Sequence, residues 1–412
     1  MEKVVIIGGG ASGLITAINA KKQNNRVVIL EKNDKCGKKI LITGNGKCNY
    51  FNEDFSIKHY RSDNIEILSK IIIPTNKEKI LNFFDSIGIM PKIKNNYYYP
   101  SSNQAISIQN ALILEAKLHN IDIKNNTEVS DIIYKDNKFI IYTTSNEQIY
   151  ADKLVLATGS KAAPITGTTG DGYNFAKKFG HSIITPLPAL CSLKTEGNFL
   201  KDWNGIRTDT KVSLYENDKF LEEETGEIQL TDYGISGICI FQLSRTVSKG
   251  LYNNKKEVIK IDFLPNIPTT TIQEFIEYME NRNNKLKNRN ITELLEGLIS
   301  YKLVLVLLKE AKLKNNLTWL QLTDQEKRTL YHKLKKFSLN ITSTNTFEKS
   351  QVSTGGIPLT EIDITTMRSL KQNNLYLVGE LLDVDGECGG YNLGFAWLSG
   401  LIAGESIKED QK

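Results

Sequence analysis

Long apolar runs are missing from this chain: no stretch approaches the roughly 18 apolar residues that a transmembrane helix needs, so no membrane partner is expected. Histidine is scarce, with four scattered through 412 residues, and a metal site built on clustered His and Cys is not expected. Cysteine is sparse as well. The five, at positions 36, 48, 191, 239 and 388, form no C-x-x-C pair and are odd in number, which fits a reducing cytoplasm better than a disulfide scaffold. A strong charge imbalance is also lacking. Fifty-two basic against 47 acidic residues leave a net charge of +5, interspersed rather than blocked. That balance permits an acidic or nucleic-acid partner without arguing for one. There is no internal repeat, low-complexity tract or long linker, and nothing sets an oligomeric state.

What is present begins at once. "KVVIIGGGASGLITA", residues 3–17, joins an apolar run to four glycines and a helix-like pattern. A secretory signal keeps its apolar region in one block, whereas here glycines interrupt the block where a turn would sit. "RVVILE" at 26–31 supplies a second strand, so the segment reads as strand, turn, helix, strand, with Gly8, Gly10 and Gly13 in the G-x-G-x-x-G frame. Gly8 permits the tight turn, Gly10 lets the backbone approach a pyrophosphate, and Gly13 lets helix and strand pack closely. The helix start then offers unpaired N–H groups to phosphates. Glu31, roughly 20 residues on, ends the second strand, where a carboxylate accepts hydrogen bonds from an adenosine ribose. This fingerprint alone leaves FAD and NAD equally expected.

A glycine-punctuated, lysine-rich segment, "KNDKCGKKILITGNGKCNYFN", follows. It is longer than a packing connection requires, which points to function. Residues 63–90 and 102–119 read as helices, "YYYPSS" serving as a start signal for the second. Residues 121–160 alternate apolar and polar between turn clusters, as a small antiparallel meander feeding the strand "KLVLAT". From about Leu190 to residue 262 the pattern is β-rich, 270–338 is helical and lysine-rich, and the glycines return at "VSTGGIPLTEI". The expected organisation is a first FAD-binding segment at 1–190, an inserted barrel and helical region at 191–348, and a second FAD-binding segment at 349–412.

Three stations favour FAD. Ala157, Thr158 and Gly159 end a strand as an A-T-G turn of the kind that lies near the dinucleotide in two-dinucleotide-fold flavoproteins. Gly379 and Glu380 follow another strand, where that group uses a Gly-acid pair, its N–H on a phosphate and its carboxylate on the ribityl chain. Gly389 and Gly390 precede a helix whose start, with about half a positive charge, suits the N1–C2=O edge of a reduced flavin. NAD as sole cofactor leaves this C-terminal return unexplained.

The chain resembles the BaiN/RdsA-like (YhiN-type) FAD-dependent oxidoreductases through "GKKILITGNGKCN" at 37–49, "GTTGDGYNFAKKFGH" at 167–181, "GEIQLTDYGISG" at 226–237, "STGGI" at 353–357 and "GELLDVDGECGGYNL" at 379–393. The resemblance implies an α/β fold: a Rossmann-like FAD-binding domain formed by both chain ends, with an inserted β-barrel and helical region. It implies Gly8, Gly10, Ser12, Gly13 and Glu31 on the ADP half. Lys39, Thr43, Gly44, Gly46, Lys47 and Cys48 would line the dinucleotide, with Val129 near the adenine. Gly379, Glu380, Asp385, Gly390, Tyr391, Asn392 and Leu393 would hold the ribityl and flavin end. Two positions depart from the family pattern, Tyr97 where an Arg is common and Leu370 where a Lys is. Both lie outside the stretches assigned to FAD and bear on substrate or surface.

Activities ascribed to the family are reduction of a conjugated bile-acid ketone, reduction of a ribosomal uridine to dihydrouridine, and oxidation of a small amine. The first two share one chemistry, hydride to the β-carbon of a C=C–C=O unit and a proton to the α-carbon, which needs a general acid. Cys388, next to the Gly-Gly, is the candidate, although a small residue filling a tight loop explains it as well; Tyr391 is the other. The expected substrate is a uridine in large-subunit ribosomal RNA. A small-molecule enone, an amine-oxidase reaction and a non-catalytic flavoprotein are the alternatives. NAD(P)H is the expected transient reductant, but "GTTGDG" at 167–172 is not a second fingerprint. Lys201, Lys211, Arg245, Lys249, Lys255 and Lys256 offer an RNA platform or an ordinary solvated surface.

Overall fold

The computed structural model describes residues 1–287 and 289–409, so 410–412, the end of the expected third segment, lie outside the described residues. Two compact units arise, one from Met1–Leu187 with Gln351–Lys412 and one from Pro188–Ser350.

In the first unit, β1 (Glu2–Ile7), α1 (Ala11–Ala20) and β2 (Asn25–Leu30) form the opening βαβ turn. Val4, Val5 and Ile6 are wholly buried, the near-continuous apolar composition of a parallel strand covered on both faces. β3 (Asp122–Lys124), β4 (Lys153–Leu156) and β5 (Leu375–Leu377) complete a parallel core in the order β5-β4-β1-β2-β3. Two short antiparallel strands, Arg368–Ser369 and Ile362–Asp363, extend it beyond β5. The last helix, α2 (Tyr391–Glu409), lies against α1. Glycines set that approach: a methyl group at Gly400 would lie 2.2 Å from Ile15 Cγ2, and one at Gly404 2.6 Å from Asn19 Cβ. α1 and α2 are thereby packed as a pair, though they come from opposite ends of the chain.

The second unit contains a closed six-stranded barrel. Around it run Leu193–Thr195, Gly234–Ser236, Lys219–Leu230, Arg207–Glu216, Glu257–Asp262 and Phe337–Thr344, the last closing on the first. The helix Ile238–Tyr252 buries Cys239, Ile240, Leu243 and Val247 in the same apolar core as Val212, Ile228 and Ile259. Helices Ile272–Lys285, Ile291–Glu296 and Asp324–Lys335 each begin at a reciprocal capping box, Thr271/Glu274, Asn290/Glu293 and Thr323/Glu326. A Rossmann-like domain made by both chain ends, with a barrel and helices inserted, is therefore the architecture.

Local expectations needed correction in four places. The helix expected over 63–90 is two helices, Ile65–Leu68 and Pro74–Ser86, because Pro74 cannot continue a helix but starts one readily. "YYYP" does not start the next helix. Tyr97–Pro100 is a strand hairpinned to Pro91–Lys94 through Asn95 and Asn96, both left-handed, and the helix begins at Ala105. The helical region ends at Lys335, and "FSLNITST" is the closing barrel strand with alternating burial. Within 121–160, β3 joins the main sheet in parallel, and only Val129–Lys135, Lys138–Thr143 and Gln148–Ala151 form the meander.

Candidate functional site

The first glycines differ in what surrounds them. A methyl at Gly13 would lie 1.9 Å from the Gly8 carbonyl oxygen, and one at Gly8, whose φ is +103°, would lie 2.4 Å from that of Ala157. Both positions are closed by packing. Gly10 is the opposite: its φ of −80° suits any residue, and a methyl there meets nothing within 4 Å. It leaves open space at the start of α1, where the first helical N–H groups have no intrahelical acceptor.

Glu31, 7% exposed, ties this turn to the end of β2. Its Oε2 accepts from the Gly9 N–H at 2.8 Å, while Oε1 accepts from Asn33 N at 2.9 Å and Asn33 Nδ2 at 2.7 Å. A carboxylate has about four acceptor sites, so capacity remains for ribose hydroxyls. Cys36 packs against Gly9, and burial, reinforced by the Glu31 charge, pushes its thiol up to about 12. Val129, 9% exposed, opens a strand two residues after Thr127, whose N–H donates to the Glu31 carbonyl. Replacing Glu31 by Ala is expected to weaken FAD binding by roughly ten- to a hundredfold, since a hydrogen bond to a charged group contributes about 1.5–3 kcal/mol. Titration of apoprotein with FAD measures it, and an unchanged affinity removes Glu31 from the site.

The A-T-G turn abuts the same place. Ala157 N donates to the Ile7 carbonyl, Gly159 has φ +72°, and the buried Thr158 Oγ1 has no hydrogen-bond partner among the described residues. Lys39 and Glu380, 341 positions apart, meet as an ion pair of 2.6 Å, and the other Glu380 oxygen accepts from Ser353 N at 3.1 Å. Gly379 sits so close to α1 that a methyl there would be 2.5 Å from Ser12 Oγ. Thus the glycine turn, the lysine-rich segment and the C-terminal return converge.

Thr43, Gly44, Gly46 and Lys47 behave differently. They form an exposed turn in which Thr43 Oγ1 donates back to Ile40 O, and a methyl at Gly46 meets nothing within 4 Å. Cys48 is fully buried, and that burial pushes its thiol up to about 12. Its neighbour Asn49, overlooked in the sequence although it ends the same glycine-rich motif, reaches the far end of the site. Its Oδ1 is buried without a partner among the described residues and would lie 2.9 Å from a methyl at Gly390.

At that end the loop before α2 is held from several sides. Asn392 brackets Gly386, accepting from its N–H at 2.8 Å and donating to its carbonyl at 2.7 Å. Asp385, 3% exposed, pairs in register with Arg61. Asn52 Nδ2 donates to the Gly389 carbonyl at 2.8 Å. Tyr391 is buried and Leu393 is half-buried against the core. Cys388 is half-exposed. His59, which no motif flagged, stacks on Tyr391 with centroids 4.5 Å apart. Its ring nitrogens face Glu387 Oε2 at 2.7 Å and Asp54 Oδ2 at 2.9 Å. Arg61 also binds Glu387, at 3.0 Å. Tyr97, set aside in the sequence as lying outside the FAD stretches, stands beside Gly389. Only pairing of Phe51–Asn52 with Tyr97–Tyr98 brings it there.

These residues fit an extended dinucleotide. There is open backbone at Gly10, an acceptor with spare capacity at Glu31, and, among the described residues, buried oxygens without partners at Thr158, Asn49 and Thr354. Among the described residues no cluster of three or more His, Cys, Asp or Glu could hold a metal ion, and no helix is long and apolar enough to cross a membrane. A parallel sheet with this turn, an acid ending its second strand and a second helix returning from the C-terminus define a Rossmann-type flavoprotein that binds FAD.

The chain belongs to the HI0933-like family, the BaiN/RdsA group: the family's Rossmann-domain profile matches residues 2–406. It is an FAD-dependent oxidoreductase. It is 36% identical, over 99% of its length and 100% of the relative's, to the 3-dehydro-bile acid delta(4,6)-reductase of Clostridium scindens. It is 25% identical to the ribosomal RNA dihydrouridine synthase of Escherichia coli, covering 98% of this chain and 97% of that one. Among solved structures, 3-ketosteroid delta1-dehydrogenase of Sterolibacterium denitrificans shares the fold, with a TM-score of 0.52 and 10% identity over the whole of both chains.

Proposed function

We propose that this protein reduces the C=C bond of a small-molecule enone, a C=C–C=O unit, with NAD(P)H as the reductant. The observation that carries this reading is the 36% identity, end to end, with a reductase of a conjugated bile-acid ketone. The ribosomal RNA dihydrouridine synthases stand at 25% and 27%. The surface supports the same choice. The basic side chains considered as an RNA platform are interleaved with acids: Lys211 pairs with Glu223 at 2.7 Å, and Lys256 faces Asp218 at 3.4 Å. Glu222, Glu223 and Glu224 follow one another on the longest barrel strand. Acids spread among the lysines lower the attraction of this surface for a phosphate backbone.

In this reading Gly8, Gly10, Ser12, Gly13 and Glu31 hold the ADP half, and Ala157, Thr158 and Gly159 with Val129 wall its adenosine side. Lys39, Gly379 and Glu380 hold the middle, while Asp385, Gly390, Tyr391, Asn392 and Leu393 position the flavin. Bound there, FAD supplies the hydride. The start of α2 offers its N–H groups to negative charge on the ring, and the loop from Glu387 to Gly390 presents the face at which a substrate docks. None of the five cysteines is in a disulfide, which supports a cytoplasmic setting.

The test is direct. FAD-loaded protein is incubated anaerobically with NADH or NADPH and a steroid 4,6-dien-3-one acid. The expected result is loss of the dienone absorbance and a product two mass units heavier. Absence of that reaction, together with loss of one dihydrouridine from the large ribosomal RNA of a deletion strain, assigns the enzyme to RNA instead.

A further inference from the structure

We propose that Tyr97 is the general acid that completes this reduction, donating its phenolic proton to the α-carbon of the substrate. The proposal rests on the enone reading. Two tyrosines converge on the loop before α2: a methyl at Gly389 would lie 3.1 Å from Cε1 of Tyr97 and 3.1 Å from Cε2 of Tyr391. Tyr97 is fixed there by its strand. It pairs in register with Asn52, whose side chain in turn grips the Gly389 carbonyl at 2.8 Å. Among the described residues nothing donates to or accepts from the Tyr97 hydroxyl, although the ring is half-buried. A half-buried phenol without a protein partner is one that a ligand or water must satisfy.

Its chemistry suits the task. Burial first, then the neighbouring Cys388 and Glu387, hold the pKa of Tyr97 above the ordinary phenol value, so it carries its proton at neutral pH. The competing donors are placed less well. Cys48 is sealed in the core. Tyr391 is 5% exposed and lies under the His59 ring. Cys388 lies on the loop that Tyr97 faces and is the rival to be tested.

The step balances as follows. A hydride, with its electron pair, reaches the β-carbon and the C=C π pair shifts toward the carbonyl, leaving an enolate. The enolate re-forms C=O as its α-carbon takes the Tyr97 proton, and the phenolate recovers a proton from water. The two electrons come from NAD(P)H by way of the protein's FAD, and the net change is addition of one hydride and one proton across C=C.

Tyr97→Phe is the discriminating variant, because a hydroxyl without a protein partner can be removed without cost to the fold. It is compared with wild type, Cys388→Ala and Tyr391→Phe, using the steroid dienone acid as substrate. Tyr97→Phe is expected to lower kcat by a hundredfold or more, the usual contribution of a general acid. FAD content, the rate at which NAD(P)H bleaches the flavin, and the affinity of the oxidised protein for the saturated ketone product, read from the flavin spectrum, should stay within threefold of wild type. A wild-type turnover rate in Tyr97→Phe, or the hundredfold loss appearing in Cys388→Ala instead, overturns the assignment while leaving the enone reading intact. A wild-type enzyme that is bleached by NAD(P)H yet leaves the dienone untouched overturns both.

Discussion

A Gly10→Val variant is expected to fold normally and to be isolated colourless. The two halves of that result have separate causes. Gly10 has φ −80° and ψ −165°, an extended conformation in which valine is at ease, and a Cβ there meets nothing within 4 Å. The protein alone therefore has no objection to a side chain. The space in front of Gly10 is nevertheless where, in the proposed site, a pyrophosphate comes within hydrogen-bonding distance of the α1 N–H groups, and a branched side chain fills it. Gly13→Val is the contrasting control, because its methyls would collide with the Gly8 carbonyl and the chain itself should be destabilised. Absorbance near 450 nm relative to 280 nm, with thermal melting, separates the two. A yellow Gly10→Val protein with one FAD per chain would remove Gly10 from the phosphate site.

Glu257 carries the second large effect, on stability and in the barrel unit. It is 1% exposed, lies opposite Glu216 in the register of two adjacent strands, and neither carboxylate oxygen has a partner among the described residues. Burial, and then the Glu216 charge, push it up to about 7 from an ordinary 4.5. The folded state thus holds the proton more tightly than the unfolded state. Stability is full below about pH 4.5 and falls as pH rises towards 7, because ionising this carboxyl then favours unfolding. At about 1.4 kcal/mol per pH unit, the loss above pH 7 is of the order of 3 kcal/mol. Glu257→Gln, of similar shape and uncharged, should remove that slope and be the more stable protein at pH 8. Urea midpoints measured from pH 4.5 to 8 check it, and identical curves for the two proteins would show that Glu257 is not the group responsible.

Much of the cofactor end was legible because its signals are local. A strand, a turn that needs particular glycines, a helix start and an acid at the end of the next strand all lie within residues 2–31, and each follows from backbone sterics or hydrogen bonding over a few positions. The barrel strand Phe337–Thr344 was equally legible in its alternation, yet its first two residues were absorbed into the lysine-rich helical pattern before it and the rest was left unassigned. Asn49 could have been read from its place at the end of a glycine-rich loop. His59 could not, since its partners Glu387 and Asp54 lie 328 and 5 positions away and no spacing links all three.

The sequence by itself determined the opening strand, turn, helix and strand and, through its resemblance to a flavoprotein family, the class of fold and FAD as cofactor, because the turn depends on periodicity and on glycines at Gly8 and Gly13 that admit no other residue. Only the tertiary structure decided what stands around the loop before α2. There α2 packs into α1 through Gly400 and Gly404, and Phe51–Asn52 pairs with Tyr97–Tyr98. Together they carry Tyr97, Asn52 and His59 to a loop more than 280 residues further along the chain. Pairings of that range arise from burial and strand register, which no local pattern records.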